Sequence, residues 1–168
     1  MVRRVSLSSA SWAMLLAAVV GWAGLVLAAP VLGRADAGGQ PGSVLAAGAY
    51  VTGALVCHQR PERSFHLAGA QLPVCGRCTG FYLSAAAGVL IGVIVGGRRT
   101  SRSRPRTRAP APVRLYLLAA VAPSALTFGM EWSGAWAVSN AARAAAAAPV
   151  GLVVGVLLVE AAGFRGRL

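Results

Sequence analysis

The chain is 168 residues long, 57% hydrophobic and only 12% charged, with a mean hydropathy of +0.66. A soluble domain of this length carries about twice that charged fraction, so the composition argues against an ordinary water-soluble globule. All 16 basic residues are arginines, set against Asp36, Glu62, Glu131 and Glu160 for a net charge of +12. They fall between apolar blocks with no aromatic platform among them, which speaks against nucleic acid as a partner and for loops flanking a lipid bilayer.

After a basic start at Arg3 and Arg4, residues 12–32 run uncharged for 21 positions. That is enough to cross a hydrocarbon layer roughly 30 Å thick at about 1.5 Å per residue. The same stretch also reads as a signal peptide, because Ala35-Asp36-Ala37 loosely fits a small-x-small cleavage pattern. Residues 38–43 (GGQPGS) break the pattern, and residues 43–56 are apolar over only 14 positions. A span needs about 17 or more, so this segment predicts an interfacial or re-entrant helix. Residues 79–97 form the second span, whose small residues Gly80, Ser84, Gly88 and Gly92 suit close helix packing. Residues 98–114 hold seven arginines and three prolines and read as a solvated, unstructured loop. Residues 115–132 and 144–163 are the third and fourth spans, containing Pro123 and Pro149, followed by Arg165 and Arg167.

The expectation is an all-α, polytopic membrane protein of about four transmembrane helices in a single membrane domain. It carries a Cys/His/Arg-rich outer loop at 57–78 and one interfacial or re-entrant helix. By the positive-inside rule the arginine-rich loop lies in the cytoplasm with both termini, and loop 57–78 lies on the outer face of the cytoplasmic membrane. The connection between the third and fourth spans shares that face. A chain this short has little room for a transport path unless it forms an oligomer.

The three cysteines all fall in the 22 residues from Cys57 to Cys78, so local chemistry is expected rather than a disulfide framework. Cys75-Gly76-Arg77-Cys78 can grip one ion, because the turn points both sulfurs the same way. With Cys57 as third ligand and a histidine as fourth, the set suits Zn. His66 has the freedom to reach such an ion, whereas His58 adjoins Cys57 and has an awkward bite. The competing chemistry is redox. A C-G-x-C pair at a helix start, beside Arg77, resembles the dithiol of thiol-disulfide oxidoreductases, with Cys57 as resolving thiol. A plain structural clasp in a transport or assembly protein is the third reading.

Arg60, Arg63 and Arg77 sit in the same window. Basic residues are scarce on outer loops, so three together suggest a forked grip on a phosphate or carboxylate, from an anionic or lipid-linked small molecule. Their plainer role is anchoring to headgroups, and Glu62 can pair with one of them. Glu131, near the outer end of the third span, is costly if it faces lipid. Its natural partner is Arg143, with Asn140 nearby and Thr127 one turn earlier on the same side. The three residues Glu131, Arg143 and Asn140 are candidates for a catalytic role or for a structural ion pair.

The motif resembles an uncharacterised family of small prokaryotic membrane proteins, a domain of unknown function. Its signature runs C-H-Q-x-P-E-R-S-F, then P-V-C-x-R-C-T-G-x-Y. Cys57, His58, Gln59, Pro61, Glu62, Arg63, Ser64 and Phe65 match the first part; Pro73, Cys75, Arg77, Cys78, Thr79, Gly80 and Tyr82 match the second. Pro123, Asn140 and Arg143 fit a weaker block further on. Many members have an acid where this chain has Thr127 and an amide where it has Glu131, as if the acid had moved one helical turn. The resemblance spans residues 43–155, favours His58 over His66, and implies no established activity.

Overall fold

The computed structural model describes residues 8–35, 41–99 and 113–162. The starting arginines Arg3 and Arg4, most of the arginine-rich loop and the tail with Arg165 and Arg167 lie outside the described residues. Five α-helices are described: α1 (Ser9–Ala35), α2 (Pro41–Val56), α3 (Gly76–Arg99), α4 (Val113–Trp132) and α5 (Asn140–Ala161). Four stretches are long and apolar enough to cross a membrane: Ser9–Arg34, Gly76–Val95, Arg114–Trp132 and Asn140–Ala161.

The centre of the bundle is α3 against α5. Gly76 meets Asn140, Gly80 meets Ala144, Gly88 meets Leu152 and Gly155, and Gly92 meets Val159. These contacts advance in the same direction along both helices, so the pair is parallel. Small residues every fourth position let the backbones approach until helix-to-helix van der Waals contact replaces side-chain interdigitation. A Cβ placed on Gly80 would stand 2.1 Å from the Ala144 carbonyl oxygen, and one on Gly151 would stand 2.1 Å from Ser84 Oγ.

Helix α1 runs antiparallel to α3, with Leu16 packed on Val89 and Val159 near one end. Nearer the other end, Trp22 and Tyr82 meet edge to face, ring centroids 5.9 Å apart. Helix α4 is antiparallel to α5: Ser124 Oγ donates to the Ala146 carbonyl at 3.1 Å. It makes little contact with α3. Three successive spans joined in order must alternate in direction, which is why α3 and α5 are parallel and α4 opposes both.

Helix α2, 16 residues long, is too short to qualify as a span. It folds back along the last part of α1, where Ala29, Ala46 and Ala49 form a buried cluster. Segment 57–78, read from sequence as a loop, is more ordered than that. A 3-10 turn (Pro61–Arg63) leads into an antiparallel hairpin of β1 (Ser64–Leu67) and β2 (Ala70–Cys75). Ala68 and Gly69 both have positive φ, 52° and 74°, the backbone of a two-residue hairpin turn that matches strand twist. Leu72, Pro73 and Val74 of β2 are buried, so the hairpin is sealed onto the bundle rather than hanging from it. Helix α3 then starts at Gly76, three residues before the expected span.

Candidate functional site

The end of the bundle that carries the hairpin gathers nearly every residue singled out by chemistry. Cys57 follows directly on α2, Cys75 ends β2, and Cys78 lies in the first turn of α3. Ligand atoms of Cys57, His58 and Cys75 all lie within 4.8 Å of one another. The Cys78 thiol lies next to those of Cys75 and Cys57, close enough for them to influence one another's ionisation, but it is not among the three donors that converge. Cys75 N–H donates to Cys57 Sγ at 3.1 Å, a contact that stabilises negative charge on sulfur. The Cys75 thiol is held well below its ordinary range, chiefly by the hydrogen bond from Cys78, with further help from Cys57 and the charge of His58, against the opposing effect of burial. Two thiols and an imidazole, brought together from the loop after α2 and the end of β2, are donors of the kind that soft or borderline cations take.

His58, not His66, joins this cluster. The chain turns sharply at Gln59, whose φ is +46°, and this brings the side chain of the residue after Cys57 alongside Cys75. His58 Nδ1 accepts from Arg60 N–H at 3.1 Å. His66 is fixed on β1 opposite Gln71, where it is exposed.

The strained Gln59 is held by its own side chain. Its Nε2 donates to the carbonyls of Tyr50 (2.8 Å) and Pro73 (2.6 Å), while Gln71 Nε2 donates to the Gln59 carbonyl at 2.6 Å. Gly53 allows this clamp, since a Cβ there would lie 2.2 Å from the Pro73 oxygen. Gln59, Gln71 and Gly53 had no role assigned from sequence. A glutamine directly after Cys-His in a chain poor in polar residues was the available signal for the first.

Beside the cysteines runs a continuous polar chain. Asn140 Nδ2 donates to the Ser64 carbonyl at 3.0 Å. Its Oδ1 accepts from Arg143 Nη1 at 2.6 Å. Arg143 Nε meets Glu131 Oε1 at 2.5 Å, and Arg77 Nη2 meets Glu131 Oε2 at 3.1 Å. The same Arg77 nitrogen donates to Thr127 Oγ1 at 3.1 Å. The expected Glu131–Arg143 pair is therefore present, with Asn140 bracing it, and Arg77 joins from the opposite side. Thr127 and Glu131, one turn apart, both reach one guanidinium, so either position could pair an acid with Arg77.

Helix ends fix these groups. Ser139 caps α5 by accepting from Ala142 N–H at 3.2 Å, which sets Asn140 and Arg143 on its first turn. At the end of α4, Ala135 N–H bonds the Met130 carbonyl and Gly134 N–H bonds that of Glu131. With Gly134 at φ +71°, this is the left-handed helix stop of the Schellman type.

A cavity of about 490 Å³ lies between α3, α4 and α5 and touches both clusters. His58, Arg63, Cys75, Arg77, Glu131 and Arg143 line its charged end. Arg77 stacks over the Phe128 ring at 5.6 Å, and its Nε is buried with no hydrogen-bond partner among the described residues. Of the three expected anion-binding arginines, Arg63 and Arg77 line the cavity and Arg60 is exposed outside it. Glu62 is exposed and makes no ion pair among the described residues.

A family described as predicted membrane protein (DUF2085) matches residues 57–157, more than half of the chain. The chain belongs to that family. Two relatives are similar to it. An uncharacterised protein of Methanothermobacter thermautotrophicus is 31% identical over 102 residues, covering 61% of this chain and 83% of its own. The uncharacterised protein MJ1492 of Methanocaldococcus jannaschii is 46% identical over 46 residues, 27% of each chain, so the match spans about a quarter of that relative. No solved structure matches. The DUF2085 match starts on Cys57 itself and takes in the hairpin, α3, α4 and most of α5. Every residue of the thiol cluster and of the Arg77–Glu131–Arg143 chain falls inside it.

Proposed function

We propose that this membrane protein carries a zinc centre made by Cys57, His58, Cys75 and Cys78 at the outer membrane face, and that the centre holds shut the head of a pocket for an anionic substrate. The observation that carries this reading is the convergence of the Cys57, His58 and Cys75 donor atoms within 4.8 Å. Cys78, whose thiol neighbours those of Cys75 and Cys57, would complete four donors by a small shift toward the trio. A four-donor site is closed and structural in character. Zinc there would supply cohesion among α2, β2 and α3 and draw the thiols to their anionic forms. The work on the substrate then falls to the chain's own side chains. Arg63, Arg77 and Arg143 receive the anion. Glu131, with each oxygen already engaged by an arginine, acts as a positioning residue that aims two guanidinium groups. The outer location follows from the seven arginines of residues 98–114, which favour the cytoplasmic side.

Zinc content and thiol count on purified full-length protein test this, with the thiols first probed in intact cells by an impermeant reagent after chelation and reduction. The expected result is stoichiometric zinc, lost in Cys75→Ser and in Cys57→Ser, and labelling in intact cells. Protection in cells but not in lysates would overturn the orientation. A metal-free Cys75–Cys78 disulfide that cycles with added dithiol would overturn the zinc centre. It would favour exchange chemistry, in which Cys75 attacks a substrate disulfide and Cys78 displaces the reduced product.

A further inference from the structure

The cavity is far larger than an inorganic anion needs, and its polarity changes along its length. At about 490 Å³ it falls in the range of sites that enclose ligands of drug size. Its charged end lies at three helix termini: Arg77 in the first turn of α3, Arg143 in the first turn of α5, and Glu131 in the last turn of α4. From there the lining runs inward past Phe128 and Ser124 to Val121 on α4, and past Ala147 to Val150 on α5. Ten residues of α4 separate Glu131 from Val121, a depth of about 15 Å. All three helices are candidate spans, so their termini mark the membrane surface and Val121 and Val150 lie at hydrocarbon depth. The pocket therefore has the same gradient as the bilayer, charged at the surface and apolar inside. The gap exists because α4 packs on α5 and barely on α3.

The charged end has donors to spare. Arg77 and Arg143 share Glu131, but Arg63 makes no ion pair among the described residues and Arg77 Nε is buried without a partner. Arginines contribute three positive charges against the carboxylate of Glu131 and the sulfur of Cys75, so positive charge is in excess at this end. Forked guanidinium donors around one point suit a phosphate head more closely than a single ammonium would.

We infer that the pocket binds an amphiphile with a phosphate head and an acyl or alkyl tail, the head between Arg63, Arg77 and Arg143 and the tail along Phe128, Val121 and Val150. This deepens the anion pocket proposed above and rests on that reading, but it does not need the metal.

Native mass spectrometry of the full-length protein in dodecyl maltoside tests it with two probes, dodecyl phosphate and inorganic phosphate. The detergent supplies the same tail with a neutral head. Dodecyl phosphate should bind specifically above the detergent background, and about tenfold or more tighter than inorganic phosphate. Arg63→Gln, which breaks no ion pair, should weaken it about tenfold. Val121→Trp, which fills the apolar end from a half-exposed position, should weaken dodecyl phosphate and leave inorganic phosphate unchanged. Equal binding of the two phosphates would mean a free anion as the ligand and would overturn the inference, as would no binding of either. Zinc is measured on the same samples. Protein that lacks zinc but binds dodecyl phosphate would sink the metal centre alone, and zinc-replete protein that ignores the probe would sink the amphiphile alone.

Discussion

Helices α4 and α5 are similar in length and both apolar, yet they are held in different ways. Helix α5 is locked to α3 along its whole length through glycines, with Ala146, Ala147, Gly151, Gly155 and Val159 buried. Among the described side chains of α4 only Ala120 is buried, and Leu115, Leu118, Leu126, Phe128 and Trp132 are exposed. The difference teaches how the site is divided. The α3–α5 pair is a rigid wall that presents Arg77, Asn140, Arg143 and the C-G-R-C turn. Helix α4 is a second wall, tied to the first by the Glu131 ion pairs and the Ser124–Ala146 hydrogen bond and set apart from α3 by the cavity. A pocket between one fixed and one lightly held wall can admit a ligand without breaking the core.

The largest expected effect breaks the rigid wall. In Gly80→Leu even the first side-chain carbon would lie 2.1 Å from a backbone oxygen of α5, which no rotamer can relieve. Overpacking typically costs about 1–3 kcal/mol, and a backbone clash belongs at or beyond the upper end. Thermal unfolding in detergent should fall sharply for this variant, and a Tm within a degree or two of the wild type would show that the α3–α5 contact is not close-packed.

An intermediate effect tests the tie between the walls. Glu131→Gln leaves the guanidinium groups of Arg77 and Arg143 side by side without their shared charge, and the Glu131 side chain is only 8% exposed. Breaking a buried pair costs about 3 kcal/mol or more, and the partial exposure of Arg77 lowers this to about 2. Adding Thr127→Asp to that variant should recover part of the loss, since Thr127 Oγ1 already lies 3.1 Å from Arg77 Nη2, whereas Arg143 stays unpaired. No recovery in unfolding measurements would show that Arg77 does not bridge the two positions.

The two walls also differed in how far they could be read from residue order. Spans follow from apolar length alone, and the small-residue face of α3 follows from Gly80, Ser84, Gly88 and Gly92 recurring every fourth residue. The Glu131–Arg143 pair was legible because a short connection returns the chain beside itself. The reach of Arg77 to Glu131 was not, since it joins positions 54 apart and depends on how two helices rotate about a cavity. Local spacing disfavoured His58, which the family signature favoured, because the positive φ at Gln59 that brings it to Cys75 is not announced by a non-glycine residue. The hairpin was hidden by Ala68, a poor residue for the turn it occupies, where Asn-Gly would have signalled it.

The smallest expected effect falls on the free face of α4. Among the described residues nothing lies within 4 Å of where a Cβ on Gly129 would stand, and the glycine sits in a shallow groove with Ala122, Ala125 and Leu126. Gly129→Ala meets no atom of the described residues, and alanine favours the helix, so stability should rise by at most about 1 kcal/mol. Gly129→Leu, made beside it, is the change that is ruinous at Gly80 carried to the other wall, and the contrast between the two leucine variants measures the asymmetry directly. A loss at Gly129 as large as at Gly80 would mean that α4 is packed from outside, by a second copy of the chain against that groove. The cavity wall would then be held as firmly as the other, and entry of a ligand between α3 and α4 would need a different route.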